Sequence, residues 1–294
     1  MRVVLTGASG QLGAYLLETL VVAGFDVRAW SGHTQGSRDG VVFRAVDLTD
    51  ADATALALAA DEPDVVLHAA ALSAAEAVRR EPERARMVNV EATARFAQWC
   101  TERDRRIIFT STDLVFDGSR PWWTEADAAA PLLEYGRTKR DAERAVLATP
   151  RGLVARISLL FGASRCGRPA FFDRAVAAFR AKEPQHFFAD EYRTPLDYAT
   201  AGDVLARLVE SDAVGLLHVA GRERMSRYEL MRRIAIALRL DEGTVLANRR
   251  DDVPMAEPRP ADVSLDTSRL ARRFPDLRRP TIEEALGSGR VTSP

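Results

Sequence analysis

Short apolar runs alternate with amphipathic stretches through the first 160 residues. Residues 3–6 form an apolar run of strand length that ends in a glycine-rich turn. From 11 to 23, Leu12, Tyr15, Leu16 and Leu20 recur at helical spacing, and Gly24 stops the pattern. Residues 25–30 and 41–48 read as the next strands, 51–60 as an alanine-rich helix, and 64–71 as a buried strand followed by small residues. The spacing then predicts one long helix over 83–103 and a strand over 105–112. A loop with Pro121, Trp122, Trp123 and Pro131 precedes a helix at 134–149, which stops before Pro150, and a strand-like run at 152–162.

Strands alternating with helices imply right-handed crossovers and a mostly parallel sheet, an α/β doubly wound architecture of Rossmann type. Beyond 163 the rhythm changes: a helix near 171–181, a loop and helix over 193–210, a strand at 215–221, an amphipathic helix at 226–240, and a proline- and arginine-rich tail from 249. Residues 1–157, with 190–214 returning to them, are expected to form one domain. Residues 158–294 are expected mainly to build a smaller substrate-binding region, with a cleft between the two.

Composition narrows the choice of function. The 294-residue chain is 47% hydrophobic and 28% charged, which suits a globular fold with a sizeable core. A net charge of −1 supplies no field for nucleic acid or an anionic membrane, and neither is an expected partner. No apolar run approaches the roughly 18 residues of a membrane span, and the start of the chain does not read as a secretion signal. Cys100 and Cys166 lack metal-binding spacing, and Cys100, on an apolar helix pattern, reads as a buried thiol. The four histidines are scattered and read as structural. A cytoplasmic protein without disulfides or bound metal is the expectation.

The turn after the first strand, "TGASGQLG", spaces its glycines at 7, 10 and 13. Gly7 permits the tight turn, Gly10 a close backbone approach to a pyrophosphate at the helix N-terminus, and Gly13 close helix–strand packing. With Ser9, Gln11 and Leu12 these residues are candidate dinucleotide contacts. The end of the second strand reads Trp30, Ser31, Gly32, His33, without the acidic residue that would hold the ribose hydroxyls of NAD. Arg28, Ser31, His33 and Arg38 lie close by in sequence, so NADP is favoured, with NAD open. Asp47 and Leu48 are placed beside the adenine, although Asp47 reads equally well as a helix cap.

All but two of the 41 basic residues are arginines. One of the two lysines, Lys139, follows Tyr135 by four residues, which puts both on one helix face about 6 Å apart along the axis. An ammonium near a phenol favours phenolate and lowers its pKa, suiting it to proton transfer. Arginine, a planar fork, does not substitute for that point charge. Thr112 ends a strand at the carboxyl edge of the sheet, where its hydroxyl is placed to face a substrate carbonyl, and Asp113 to face a sugar hydroxyl. The same residues read also as a hydrogen-bonded turn. Asn89, in the middle of the long helix, is read as kinking it and holding a water near Lys139, or as facing solvent.

The stretches "GASGQLG", "HAAALSAAEAVRREPERARMVNVEAT", "STDLVFDG", "YGRTK", "RTP" and "RPADVSLDTSRL" resemble the extended short-chain dehydrogenase/reductases, most of all the dTDP-4-dehydrorhamnose reductase family. The resemblance implies Tyr135 as proton donor, Lys139 as its tuner and ribose anchor, and Thr112 as carbonyl polariser. It implies cofactor contacts at Ala69, Ala70, Ala71 and Asn89, and a nucleotide-sugar substrate held by Thr112, Asp113, Arg193 and Arg259. Leu159 stands where these reductases often carry tryptophan. Trp122 and Trp123 are placed either to cover the sugar or to anchor their loop. The implied activity is NADPH-dependent reduction of a 4-keto sugar. An epimerase, or an NADP-binding subunit without turnover like that of methionine adenosyltransferase, are the alternatives, and a homodimer is left open.

Overall fold

A computed structural model describes residues 1–254 and 256–292. The chain begins with β1 (Arg2–Thr6), α1 (Gln11–Val22), β2 (Asp26–Ser31), β3 (Ser37–Arg38), β4 (Val41–Ala45), α2 (Ala51–Asp61) and β5 (Val65–His68). Next come α3 (Ala75–Arg80), α4 (Pro82–Arg86), a π-turn at Met87–Glu91 and α5 (Ala92–Glu102). Then follow β6 (Arg106–Thr112), a 3-10 turn at Asp113–Val115, α6 (Glu134–Leu147) and β7 (Gly152–Ile157). The rest supplies β8 (Leu160–Phe161), α7 (Phe171–Arg180), β9 (Gln185–Phe188), β10 (Tyr192–Arg193), β11 (Leu196–Asp197) and α8 (Tyr198–Glu210). Last are β12 (Gly215–Val219), β13 (Met225–Ser226), α9 (Arg227–Ala237), β14 (Val245–Asn248), α10 (Ser268–Arg273) and α11 (Ile282–Gly287).

The central sheet runs β12-β7-β6-β5-β1-β2-β4-β3 and is parallel except at β3–β4. Strand order reverses at β1, with β2 on one side and β5 on the other, which opens a crevice at the carboxyl edge there. Side-chain alternation splits β1 between two cores. Val3 and Leu5 join Leu16, Leu17 and Leu20 of α1 and Val204, Leu205 and Leu208 of α8. Val4 faces the other layer, with Leu58 of α2, Phe96 of α5 and Val146 of α6. Burying a side chain of this size stabilises by about 1.5–3 kcal/mol. A separate core in the C-terminal lobe gathers Phe172 and Phe179 of α7, Met231 and Ile234 of α9, and Ile282 and Leu286 of α11. Among the described residues no helix is long and apolar enough to cross a membrane.

Three local readings differ from the sequence pattern. The helix expected over 83–103 is helical throughout but widens to a π-turn over Met87–Glu91, where Asn89 is buried. The hairpin β3–β4 turns on Asp39 and Gly40, with φ values of 52° and 77°, the signature of a two-residue turn. The return of the second half to the sheet is longer than 190–214, because β12 pairs with β7 at its edge.

The tail closes against the loop after β6. Trp123 is buried, stacks on Phe116 at 4.5 Å and donates its indole N–H to the Asp262 carbonyl at 2.9 Å. Trp122 is 43% exposed. Of the two readings of this pair, Trp123 therefore anchors the loop. Trp123→Ala is expected to cost about 3–5 kcal/mol in denaturant unfolding, and Trp122→Ala to stay within about 0.5 kcal/mol of the parent.

Candidate active site

A cleft of about 500 Å³ opens at the carboxyl edge of the sheet beside β1. Its wall begins with the glycine turn. Gly7 has φ of 72°, and a Cβ there would lie 2.8 Å from the Ala70 backbone. A Cβ on Gly13 would sit 2.0 Å from the Gly7 carbonyl oxygen. Only glycine therefore lets α1 close onto the end of β1. Gly10 precedes α1 without a side-chain cap, so no side chain competes for the helix N-terminus. The cradle and the free helix end fit a dinucleotide diphosphate on their own chemistry.

Ser9, Gly10, Gln11, Leu12, Ser31, Asp47, Leu48, Ala69, Ala70 and Ala71 all line this cleft with Gly7 and Gly13. Asp47 is not the cap of α2, a role taken by Asp50, which accepts from Ala53. It accepts from the Thr49 N–H and hydroxyl instead, and these two bonds hold it below the usual carboxylate range. Arg28 pairs with Asp26 at the opposite end of β2. Arg38, placed by the β3–β4 hairpin, reaches the Ala8 carbonyl at 3.3 Å and so stands beside the glycine turn.

The cleft floor is a closed polar chain. Thr93 donates to the Asn89 carbonyl at 2.7 Å, so its hydroxyl oxygen accepts from His68 Nε2 at 3.0 Å. His68 Nδ1 then accepts from the Thr6 hydroxyl at 2.7 Å, and Thr6 in turn accepts from the Ala70 N–H. His68 is thus fixed as a neutral Nε2–H tautomer, and burial first, then Lys139, drives its pKa well down. Asn89 is fully buried, not solvent-facing, and lies behind the cleft wall. Its amide grips the Leu72 backbone at 2.8 and 3.0 Å and Thr138 at 3.0 Å. Its side chain is therefore spent on pinning the loop after β5 to α6.

Thr112, Tyr135 and Lys139 line the far end of the same cleft. A Cβ on Gly136 would lie 2.2 Å from the Leu114 carbonyl oxygen, and this close approach seats α6 against the turn that follows Thr112. Thr112 accepts from the Leu114 N–H and donates to Asp113 Oδ1 at 3.2 Å, so the residue lines the cleft while its hydroxyl is engaged in the turn. Lys139 is 1% exposed, with Nζ 4.0 Å above the Phe109 ring. The electrostatics differ from the simple expectation of an acidified phenol. Burial, then Asp113, pushes the Tyr135 phenol up. Burial pushes Lys139 down to about 7, against the Glu143 carboxylate that raises it. Desolvation dominates at both groups, because an enclosed site penalises the phenolate and the ammonium alike.

Asp113, Arg193 and Arg259 stand beyond the cleft lining, and the first two are engaged with each other. Arg193 donates to Asp113 at 2.8 Å and to Glu191 at 2.9 Å, and Ser158 donates to the other Asp113 oxygen at 2.7 Å. Arg259 donates to Glu191 at 2.7 Å and lies over the Phe188 ring. Glu191 is fully buried; burial opposes its charge, but Arg193, Arg227 and Arg259 hold it at about 2. Leu159 packs into the C-terminal lobe core. The sequence reading missed Arg84, Val88, Ser158, Leu160 and Tyr198, which also line the cleft. Tyr198, stacked on Tyr15 at 5.3 Å, sits at the start of α8, and nothing in its local pattern points toward a site over 180 residues earlier.

This sheet, with its switch-point cleft and Tyr-Lys helix, has the Rossmann-type α/β fold of the extended short-chain dehydrogenase/reductases. The chain belongs to the RmlD substrate binding domain family, whose model matches residues 1–288. It is 31% identical to methionine adenosyltransferase 2 subunit beta of Pongo abelii over 280 residues, 92% of this chain and 81% of that one. It is 27% identical to the probable low-salt glycan biosynthesis reductase Agl14 of Haloferax volcanii, over 98% of this chain and 97% of that one. The crystal structure of dTDP-4-dehydrorhamnose reductase from Bacillus anthracis in complex with NADP shares the fold, with a TM-score of 0.86, 24% identity, and 98% and 97% of the two chains covered.

The depressed lysine has a consequence for stability. Below about 7 both folded and unfolded chains carry the proton, and the folded state bears the full cost of burying it. Between about 7 and the ordinary value of 10.5 the folded state binds fewer protons, so stability rises with pH across that window. Lys139→Met is expected to flatten this rise in denaturation midpoints measured from pH 6 to 10.

Proposed function

We propose that the protein uses NADPH to reduce the C4 keto group of a nucleotide-linked 4-keto-6-deoxy sugar. The observation that carries this reading is that Thr112, Tyr135 and Lys139 share one cleft with the glycine turn and the Ala69–Ala70–Ala71 wall. When bound, the reduced nicotinamide supplies the hydride. Gly7, Gly10 and the N-terminus of α1 take the diphosphate. Ser31, His33 and Arg38 take the adenosine end, and the cation beside the turn suits a 2′-phosphate. NAD remains the second dinucleotide to test.

The phenol's upward displacement fits the reducing direction. A group that must hand a proton to a new alkoxide has to be protonated at neutral pH, and Tyr135 is. Thr112 turns its hydroxyl to the same oxygen and stabilises the charge that develops there. Lys139 holds the ribose and lends its charge to the phenol once the cleft is filled. Asp113, Arg193 and Arg259 border the sugar-nucleotide side, where Arg259, its Nε without a partner among the described residues, suits a phosphate. Agl14 being named a reductase and the Bacillus anthracis enzyme having been solved with NADP support this assignment.

A second reading, an NADP-binding subunit without turnover, is favoured by the 31% identity with the beta subunit of a methionine adenosyltransferase. NADPH and NADH oxidation against a panel of nucleotide 4-keto sugars separates the two, and net oxidation also excludes an epimerase. Tyr135→Phe is expected to lower turnover by about 10²–10⁴-fold while NADPH binding stays within about twofold. Reduction by pure Tyr135→Phe protein at the parent rate would falsify the mechanism. Silence of the parent against every sugar, with NADPH bound and a synthetase co-purifying, decides for the subunit.

A further inference from the structure

Tyr135 and Lys139 are followed by Glu143 at the same interval of four, so three functional groups share one face of α6. Glu143 is 2% exposed. Its Oε1 accepts from the Ser111 hydroxyl at 2.5 Å and from Arg156 Nε at 2.9 Å, and its Oε2 accepts from Arg156 Nη2 at 2.7 Å. Ser111 adjoins Thr112 and itself faces the cleft. A buried bidentate ion pair thus lies one helical turn beneath the lysine. Such a pair is seldom a net gain in stability over apolar residues of similar volume. Packing alone therefore gives no reason for it to be ionic.

We propose that Glu143, braced by Arg156 and Ser111, is a positioning residue that keeps Lys139 an ammonium beneath the cofactor cleft. The groups around the lysine leave this role to it. On α6 they are Tyr135, which is neutral, and Glu143. From β5 comes His68, locked neutral between Thr6 and Thr93. From β6 comes the Phe109 ring, 4.0 Å below Nζ. From β7 comes Arg156, which stands behind Glu143 and takes up both carboxylate oxygens. Asp113 acts on the phenol and is itself tied to Arg193. Each member of the Tyr-Lys pair therefore has its own carboxylate, and each carboxylate its own arginine. Arg156 holds Glu143 in place through both carboxylate oxygens, so the carboxylate supports the ammonium without forming a direct salt bridge that would draw it from the cleft.

This role deepens the reductase reading, and its test is chosen so that the two fail separately. The chain has only two lysines, Lys139 and Lys182, so protein grown on ε-13C-lysine gives two signals, and Lys182→Arg assigns them. The Lys139 signal of the parent is expected to titrate near 7. Glu143→Gln is expected to lower that midpoint by about one pH unit, and Glu143→Asp, which keeps the charge, to restore most of it. Because Glu143→Gln strands a buried guanidinium, the double variant Glu143→Gln/Arg156→Met provides a folded alternative, with a downward shift still expected but a smaller one, since the more distant Arg156 cation is lost with the anion. A Lys139 midpoint unchanged in the folded double variant overturns the proposal, whether or not the protein turns over any sugar. In an active parent, the pH profile of kcat moves with the lysine midpoint while KM for NADPH holds. A uniform loss of kcat with an unmoved profile marks Glu143 as structural and also overturns it.

Discussion

One buried guanidinium holds the two halves of the molecule around the cleft. Arg193 lies between Asp113, at the end of the sheet strand β6, and Glu191, in the lobe that packs over it, and all three are nearly or fully buried. Removing any one leaves charge stranded away from water, a far larger penalty than the net worth of the pairs. The contact therefore acts as a fixed-length tie. It sets where Asp113 stands, Asp113 abuts Thr112, and Thr112 faces the cleft. Glu191 extends the tie to Arg227 and Arg259, so the lobe's cations are arranged from one buried carboxylate.

The floor of the cleft is organised by the complementary principle, complete satisfaction of neutral polar groups. From Ala70 through Thr6, His68 and Thr93 to Asn89, each donor meets an acceptor, which removes any need for charge on the imidazole. A chain of this kind costs little only when it is complete. Its reward is geometric: the ends of β1 and β5, the π-turn and α6 are held in one register. The charge of Lys139 is then poised by burial and by Glu143 alone among the carboxylates.

Much of this was legible in the chain. Most strands of the sheet were readable because they are short apolar runs, several of them, such as β1, β2, β7 and β12, bounded by glycine. The glycine turn was readable because its glycines stand between a strand and a helix, where Gly7 and Gly13 meet a steric demand that no other residue meets. Tyr135 and Lys139 were readable as a pair because helical spacing is local. The Asp39–Gly40 turn, which places Arg38 beside the glycine turn, was not read from the sequence, although an Asp-Gly pair is a local turn signal. The direction in which burial would move the phenol was not readable, since spacing reports proximity but not desolvation.

The sequence by itself determined the alternation of strand and helix, the glycine turn and the shared helix face of Tyr135 and Lys139, because all three follow from residue type and spacing along the chain. Tertiary structure decided which groups are free to act. Asn89 is tied to a backbone, Asp113 and Arg193 to each other, and Trp123 to the tail, while Tyr198 and Leu160 enter the cleft unannounced. Those outcomes depend on partners tens of residues away, and on how much water the packing leaves around each charge.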